Sequence, residues 1–227
     1  MTRAVADEVL DRLVRSYRGA RDPERAGQAA AYMRDQFAFL GIASPARRAL
    51  DRSVRAGLPR PTEDDLRAVA VTCWALDERE FQYFACDWLR AQVKVPGPEF
   101  LATVRTLITT KSWWDTVDAL ATRVVGGLVA RHPQLRGEMD AWIVDDDMWV
   151  VRTAILHQLH YGTATDTARL FGYCSRQASH PDFFIRKAIG WALRQYARTD
   201  PDAIRAYLAT HGSELSPLSV REAAKHL

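Results

Sequence analysis

The chain has 227 residues, enough for a sizeable core and few enough for one domain. Hydrophobic residues make up 48% and charged residues 26%, a balance that excludes a disordered or fibrous chain. The net charge of +3 admits a polyanionic partner without demanding one, and its basic side chains are nearly all arginine, with lysine only at Lys94, Lys111, Lys187 and Lys225. Arginine suits bidentate contact with phosphate. A GC-rich genome also enriches arginine and alanine, so their placement along the helices has to carry the argument. Cys73, Cys86 and Cys174 are odd in number and lack CxxC spacing, which argues against a disulfide framework or zinc site and fits a reducing cytoplasm.

The chain begins with MTRAVADEVLDRL, which carries acids inside an amphipathic pattern and lacks the apolar core of a signal peptide. Residues 1 to about 40 read as a helical cap. Beyond them the apolar positions recur at helical spacing, and no alternating strand stands out. The longest apolar stretch, Ala68 to Leu76, is broken by Thr72 and falls far short of the ~20 residues that span a bilayer. Asp22-Pro23, Gly57 to Pro61, Pro96-Gly97-Pro98, His132-Pro133, Gly162, His180-Pro181, Asp200-Pro201 and Ser216-Pro217 each mark a helix boundary. Trp149-Val-Val-Arg-Thr-Ala-Ile155 lines up with Phe183-Phe-Ile-Arg-Lys-Ala-Ile189, and Trp113-Trp-Asp-Thr-Val-Asp-Ala119 precedes both. A spacing of about 35 residues with two helices per unit is that of HEAT-like repeats. The expected fold is all-α: one domain over residues 1–227, a curved solenoid of HEAT-like repeats with a long concave face.

Two helices carry the chemistry. In the first, from about Ser112 to Ala130, Val117, Ala121, Val124 and Leu128 form the core stripe, joined by Trp113. Trp114 lies on its flank, and Asp118 follows one turn along the same face, poorly solvated for a carboxylate. Arg152, on the stripe flank of the next repeat, is a candidate partner for that acid. In the second, from about Asp182 to Arg198, Ile185, Ile189, Ala192 and Tyr196 form the stripe, with Ala188 and Leu193 at its edges. Lys187, Arg194 and Arg198 fall on the opposite face with Trp191 beside them, which reads either as contact with a neighbouring repeat or as an aromatic in a basic groove. Asp145-Asp146-Asp147 supplies a helix cap and first-turn acids. Gly126-Gly127, inside a helical pattern, marks a close-packing or kink position. His157 and His160 have no third ligand in register, so no metal site is expected, and no Walker, GxGxxG, GxSxG or HExxH motif occurs.

Three segments, Lys111-Ser-Trp-Trp-Asp-Thr-Val-Asp118, Met148-Trp-Val-Val-Arg-Thr-Ala-Ile-Leu156 and Asp182-Phe-Phe-Ile-Arg-Lys-Ala-Ile-Gly-Trp191, resemble the AlkD type of DNA alkylation repair glycosylase. Phe39-Leu-Gly-Ile-Ala-Ser-Pro-Ala-Arg-Arg48, Arg79-Glu-Phe-Gln-Tyr-Phe-Ala85 and Leu218-Ser-Val-Arg-Glu222 are similar to that family as well, so the resemblance runs over roughly residues 35 to 227. It implies duplex DNA with alkylated purines as partner, excision of cationic N3- and N7-alkylated bases, and handling of the lesion without flipping it into a pocket, unlike most glycosylases. It assigns the catalytic carboxylate to Asp118, the active-site tryptophans to Trp114 and Trp191, and the active-site arginine to Arg152, which can grip a nearby phosphate. If Trp191 faces DNA, the basic face beside it puts Lys187, Arg194 and Arg198 at phosphates too. No metal or redox cofactor is required, and a monomer free of membrane contact is expected. A non-catalytic HEAT-like protein that binds damaged or unusual DNA is the alternative, and a protein-interaction scaffold a third reading.

Overall fold

Proline and glycine stand at many of the helix ends, while the breaks after α4, α6 and α9 carry neither. In the computed structural model, which describes residues 5–227, the chain runs through α1 (Val5–Gly19), α2 (Pro23–Tyr32), α3 (Ser44–Arg55), α4 (Glu63–Ala75), α5 (Arg79–Ala91) and α6 (Phe100–Thr109). It continues through α7 (Trp114–Ala119), a π-helical turn (Leu120–Val125), α8 (Gly126–Arg131), α9 (Arg136–Trp142), α10 (Met148–Leu156), α11 (Thr167–Arg176), α12 (Phe183–Tyr196), α13 (Pro201–His211) and α14 (Pro217–Ala223). Among the described residues the only extended pairing is an isolated bridge between Ala38 and Glu78. Side-chain caps start many of these helices. Asp22, Asp147, Asp166, Asp182, Asp200 and Ser216 each accept from a first-turn N–H, and Thr62 forms a capping box with Asp65. Each cap is worth about 1 kcal/mol.

The chain divides into two compact units, residues 1–103 and 104–227. In the first, α1 packs on α3 and α4, and α4 on α5. Tyr17 stacks on Phe81 at 5.4 Å and Phe84 on Trp88 at 6.0 Å. Two of the segments singled out in the sequence meet here. The buried carboxylate of Glu80 accepts from the backbone N–H groups of Leu40, Gly41 and Ile42 at 2.9, 2.8 and 3.2 Å, and the Arg79 guanidinium lies over the Phe37 ring. Gly41 is required: its φ is +87°, and a Cβ there would lie 2.1 Å from the Asp22 carbonyl oxygen. Cys73, Cys86 and Cys174 are buried free thiols.

In the second unit three helices repeat one arrangement. α7, α10 and α12 start from N-caps Trp113, Asp147 and Asp182, and the third and seventh residues past each cap are buried: Thr116 and the following Leu120, then Val150 and Ala154, then Ile185 and Ile189. These caps correct the repeat register read from the sequence. Trp149 corresponds to Phe184, not Phe183, and Asp118, Arg152 and Lys187 share one position, the fifth past each cap. The cause is that the bulky residues cluster by packing rather than by rank in the helix. Trp113, Trp149 and Phe184 meet with centroids 5.1 to 5.9 Å apart, Trp113 from a cap position and half-buried rather than within the core stripe. Phe183 is more than half exposed. Tyr196, expected in the core stripe, is likewise half-buried and meets Phe171 edge-on.

Gly126 is a close-packing position, as expected. A Cβ there would stand 2.3 Å from the His157 carbonyl oxygen, and the Tyr161 hydroxyl donates to the Gly126 carbonyl at 2.7 Å. His157 is itself buried, with Nδ1 facing the Ala154 carbonyl, and burial pushes its pKa down to about 4.

Candidate functional site

Asp118 sits on the last turn of α7, where the π-helical turn begins, with its own carbonyl accepting from the Thr122 hydroxyl at 2.8 Å. Its carboxylate is held edge-on by Arg152 of α10: Nε donates to Oδ1 at 2.7 Å and Nη2 to Oδ2 at 2.8 Å. The guanidinium is buried, with a side chain 5% exposed, whereas the Asp118 side chain keeps 17%. Nη1 of Arg152 donates to the carbonyl of Phe184 on α12, so one arginine ties three successive repeats together. Burial pushes the Asp118 carboxyl above the usual aspartate value, against the pull of Arg152, and Asp115 adds to the rise. The result is a carboxylate–guanidinium pair with one edge of the acid still open. Arg152, expected at a phosphate, is thus turned inward onto the acid.

Trp114 lies one turn before Asp118 on the same helix face. Trp191 lies two turns beyond Phe184 on the same face of α12, about 10 Å along the axis. Both tryptophans are half-buried. Among the described residues neither ring stacks on another aromatic and neither indole N–H donates to a protein acceptor, in contrast to Trp113 and Trp149, which fill the aromatic cluster. Two half-buried tryptophans without an aromatic partner, one of them a turn from a desolvated acid, can offer a π face to a flat, cationic group.

The basic face of α12 is where the sequence places it, but it is not simply open to solvent. Helix α14 packs along it, so closely that a Cβ at Gly190 would stand 2.4 Å from the Glu222 Cβ. Lys187 pairs with Glu222 Oε1 at 3.0 Å and Arg194 with Glu222 Oε2 at 2.6 Å. Arg198 is exposed, with Nη2 3.2 Å from Nε2 of His226. Sequence reasoning assigned no role to Glu222, Lys225 or Gly190. The one legible signal was that Glu222 and Gly190 fall inside segments resembling the family.

Comparison with known proteins gives the family and the fold. The family model described as DNA alkylation repair enzyme matches residues 13–227. A solved structure described as a predicted DNA alkylation repair enzyme from Enterococcus faecalis is 31% identical, with a TM-score of 0.83 over 91% of this chain and 96% of that one. The smu.31 protein of Streptococcus mutans shares the fold at 14% identity, with a TM-score of 0.60 over 80% of this chain and 91% of that one. No curated protein matches. A match over nearly the whole length, on a helical scaffold that brings an acid, an arginine and two idle tryptophans into one unit, places this chain in the DNA alkylation repair enzyme family.

Proposed function

We propose that the protein is a monofunctional DNA glycosylase that hydrolyses the N-glycosidic bond of cationic N3- and N7-alkylated purines in duplex DNA. The observation that carries this reading is the desolvated Asp118 carboxylate, clamped by Arg152 and one turn from the unstacked ring of Trp114. An alkylated purine already bears a positive charge. As its bond to C1′ breaks, the bonding electrons pass into the purine and cancel that charge, while positive charge builds on the deoxyribose. A fixed carboxylate in a water-poor site stabilises that developing charge and holds the attacking water, which adds to C1′ and passes one proton to the carboxylate and from there to solvent. Trp114 and Trp191 add cation–π attraction for lesion and sugar. Arg152 does not touch the substrate in this scheme; it fixes the acid, whose side chain keeps the exposure that Arg152 lacks. The products are the free alkylated base and an abasic site, and no cofactor enters the balance.

The protein acts as a monomer in the cytoplasm on DNA lying along the HEAT-like helices, with the lesion processed in the stack. Small methyl adducts are the default lesions, and bulky N3-adenine adducts fit the same chemistry. The test is base release from duplexes carrying 7-methylguanine, 3-methyladenine or a bulky minor-groove adduct. Release of free base with the strand intact until alkali is added is expected. Tight binding of all three duplexes without release would make the protein a binder rather than an enzyme. A borohydride-trapped protein–DNA band lost in Lys111→Ala or Lys187→Ala would replace water with a lysine nucleophile.

A further inference from the structure

We propose that Glu222 is a positioning residue that holds Lys187, Arg194 and Lys225 as one preassembled clamp for a DNA phosphate beside Trp191. The proposal rests on the reading that this protein binds duplex DNA, and it adds a residue and a mechanism to that reading.

Two cations of α12 and one from the 3-10 turn that follows α14 converge on one carboxylate. Lys225 donates to Glu222 Oε1 at 2.6 Å, Lys187 lies 3.0 Å from the same oxygen, and Arg194 donates to Oε2 at 2.6 Å. One negative charge among three positive ones leaves a local surplus of positive charge. The acid is the inward group, with 9% of its side chain exposed, while the side chains of Lys187, Arg194 and Lys225 keep 37%, 26% and 50%. A lysine has three N–H donors and an arginine five, so each cation spends a donor on Glu222 and keeps others for solvent or a ligand. Without the acid, three like charges at this separation would repel and their long side chains would spread over many rotamers. The acid offsets both costs before any ligand arrives. The three cations also hold Glu222 ionised, with its pKa lowered to about 2.

The backbone around Glu222 is built to bring it there. Gly190 leaves room for the Glu222 Cβ, and the Ser219 hydroxyl donates to the Arg186 carbonyl at 2.8 Å, pinning α14 on α12. Lys187, Trp191 and Arg194 are three and four residues apart on α12 and therefore share a face. A phosphate seated on the clamp would lie next to the Trp191 ring, which fixes the register of the duplex against the candidate site. A surface that merely had excess charge would need no buried acid at its centre.

Glu222→Gln separates these accounts, because the two make opposite predictions. If Glu222 only subtracts charge, its removal strengthens binding. If it positions the clamp, its removal weakens binding although the protein becomes more positive. The measurement is affinity for an undamaged duplex across a salt series, with circular dichroism and melting temperature recorded alongside. Binding about tenfold weaker at fixed salt, with the log affinity–log salt slope shallower by about one to two units, is expected. Glu222→Asp keeps the charge at shorter reach and should restore part of both. Equal or tighter binding by Glu222→Gln with an unchanged or steeper slope overturns the proposal. Loss of the fold in both variants overturns it too, by making Glu222 a structural staple. If the unmodified protein binds no duplex, it is the DNA reading itself that fails. Because binding to undamaged DNA requires no catalysis, a protein that binds but does not excise bases still tests the clamp.

Discussion

Asp118 and Arg152 stand 34 residues apart, occupy the same position in two successive helices, and form a two-point ion pair in which the arginine is the more buried partner. A repeat that places the same slot side by side can put an acid in one copy and its counter-charge in the next. In this unit the third copy of the slot holds Lys187, which faces Glu222 instead. The equivalence separates two environments for one position: Asp118 partly exposed, and Arg152 buried behind it.

Asp118→Asn keeps the size of the side chain and removes its charge. Loss of one preorganised electrostatic group costs ~10²–10³ in rate. Single-turnover excision of 7-methylguanine should fall by at least that much, with affinity for the duplex largely retained. The buried Arg152 is left without its counter-charge, a change that costs about 3–5 kcal/mol when a buried pair is broken outright, so the melting temperature should drop too. The rate is therefore compared at a temperature where circular dichroism shows both proteins folded. Excision at the unmodified rate would remove Asp118 from the mechanism.

Arg152→Gln reports through pH. Asp118 must be ionised to stabilise a cationic sugar, so excision falls as the pH drops through its pKa, which burial holds above the usual aspartate value. Arg152 is the group that pulls this pKa down. Removing it should move the acid limb of the single-turnover pH profile to higher pH, while the salt slope for duplex binding stays at the unmodified value. An unmoved limb together with a slope lower by about one unit would return Arg152 to the phosphate role that the sequence suggested.

Trp114→Leu and Trp191→Leu remove a half-buried ring that stacks on no other aromatic among the described residues. A cation–π contact in a desolvated site is worth up to about 2 kcal/mol, so each change should slow excision by up to roughly thirtyfold. Phenylalanine at either position keeps a smaller π face and should lose less. Melting temperatures should move little, since neither ring packs in the aromatic cluster. If leucine and phenylalanine variants slow the reaction equally, the rings act by shape and not by their π face.

Two glycines should respond to alanine with opposite signs. In Gly190→Ala the new Cβ meets the Glu222 Cβ at 2.4 Å and the Ser219 carbonyl oxygen at 2.9 Å, and backbone cannot move aside cheaply. Overpacking of this kind costs about 1–3 kcal/mol, more than the ~1 kcal/mol gained from helix propensity. Gly172→Ala, within α11 with nothing within 4 Å of the new Cβ, keeps only the gain. Thermal melts should therefore show Gly190→Ala less stable and Gly172→Ala more stable than the parent chain. A stabilised Gly190→Ala would mean that α14 does not pack as closely on α12 as described.

What the sequence determined by itself was local. Apolar spacing assigned Val117, Ala121, Val124 and Leu128 to one buried face and Ile185, Ile189 and Ala192 to another, because a helix turns at a fixed angle per residue and burial follows from it. Proline and glycine marked many of the helix ends, because their backbone limits act within a turn. The same geometry put Trp114 with Asp118, and Trp191 with Lys187 and Arg194. The tertiary structure decided which charged groups meet across helices. A face tells which way a side chain leaves its helix, but long side chains such as Arg152 and Lys187 choose among several partners within reach. That choice is made by the packing of the next helix: Phe184 and Asp118 draw Arg152 inward, and Gly190 admits α14 so that Glu222 gathers the cations of α12.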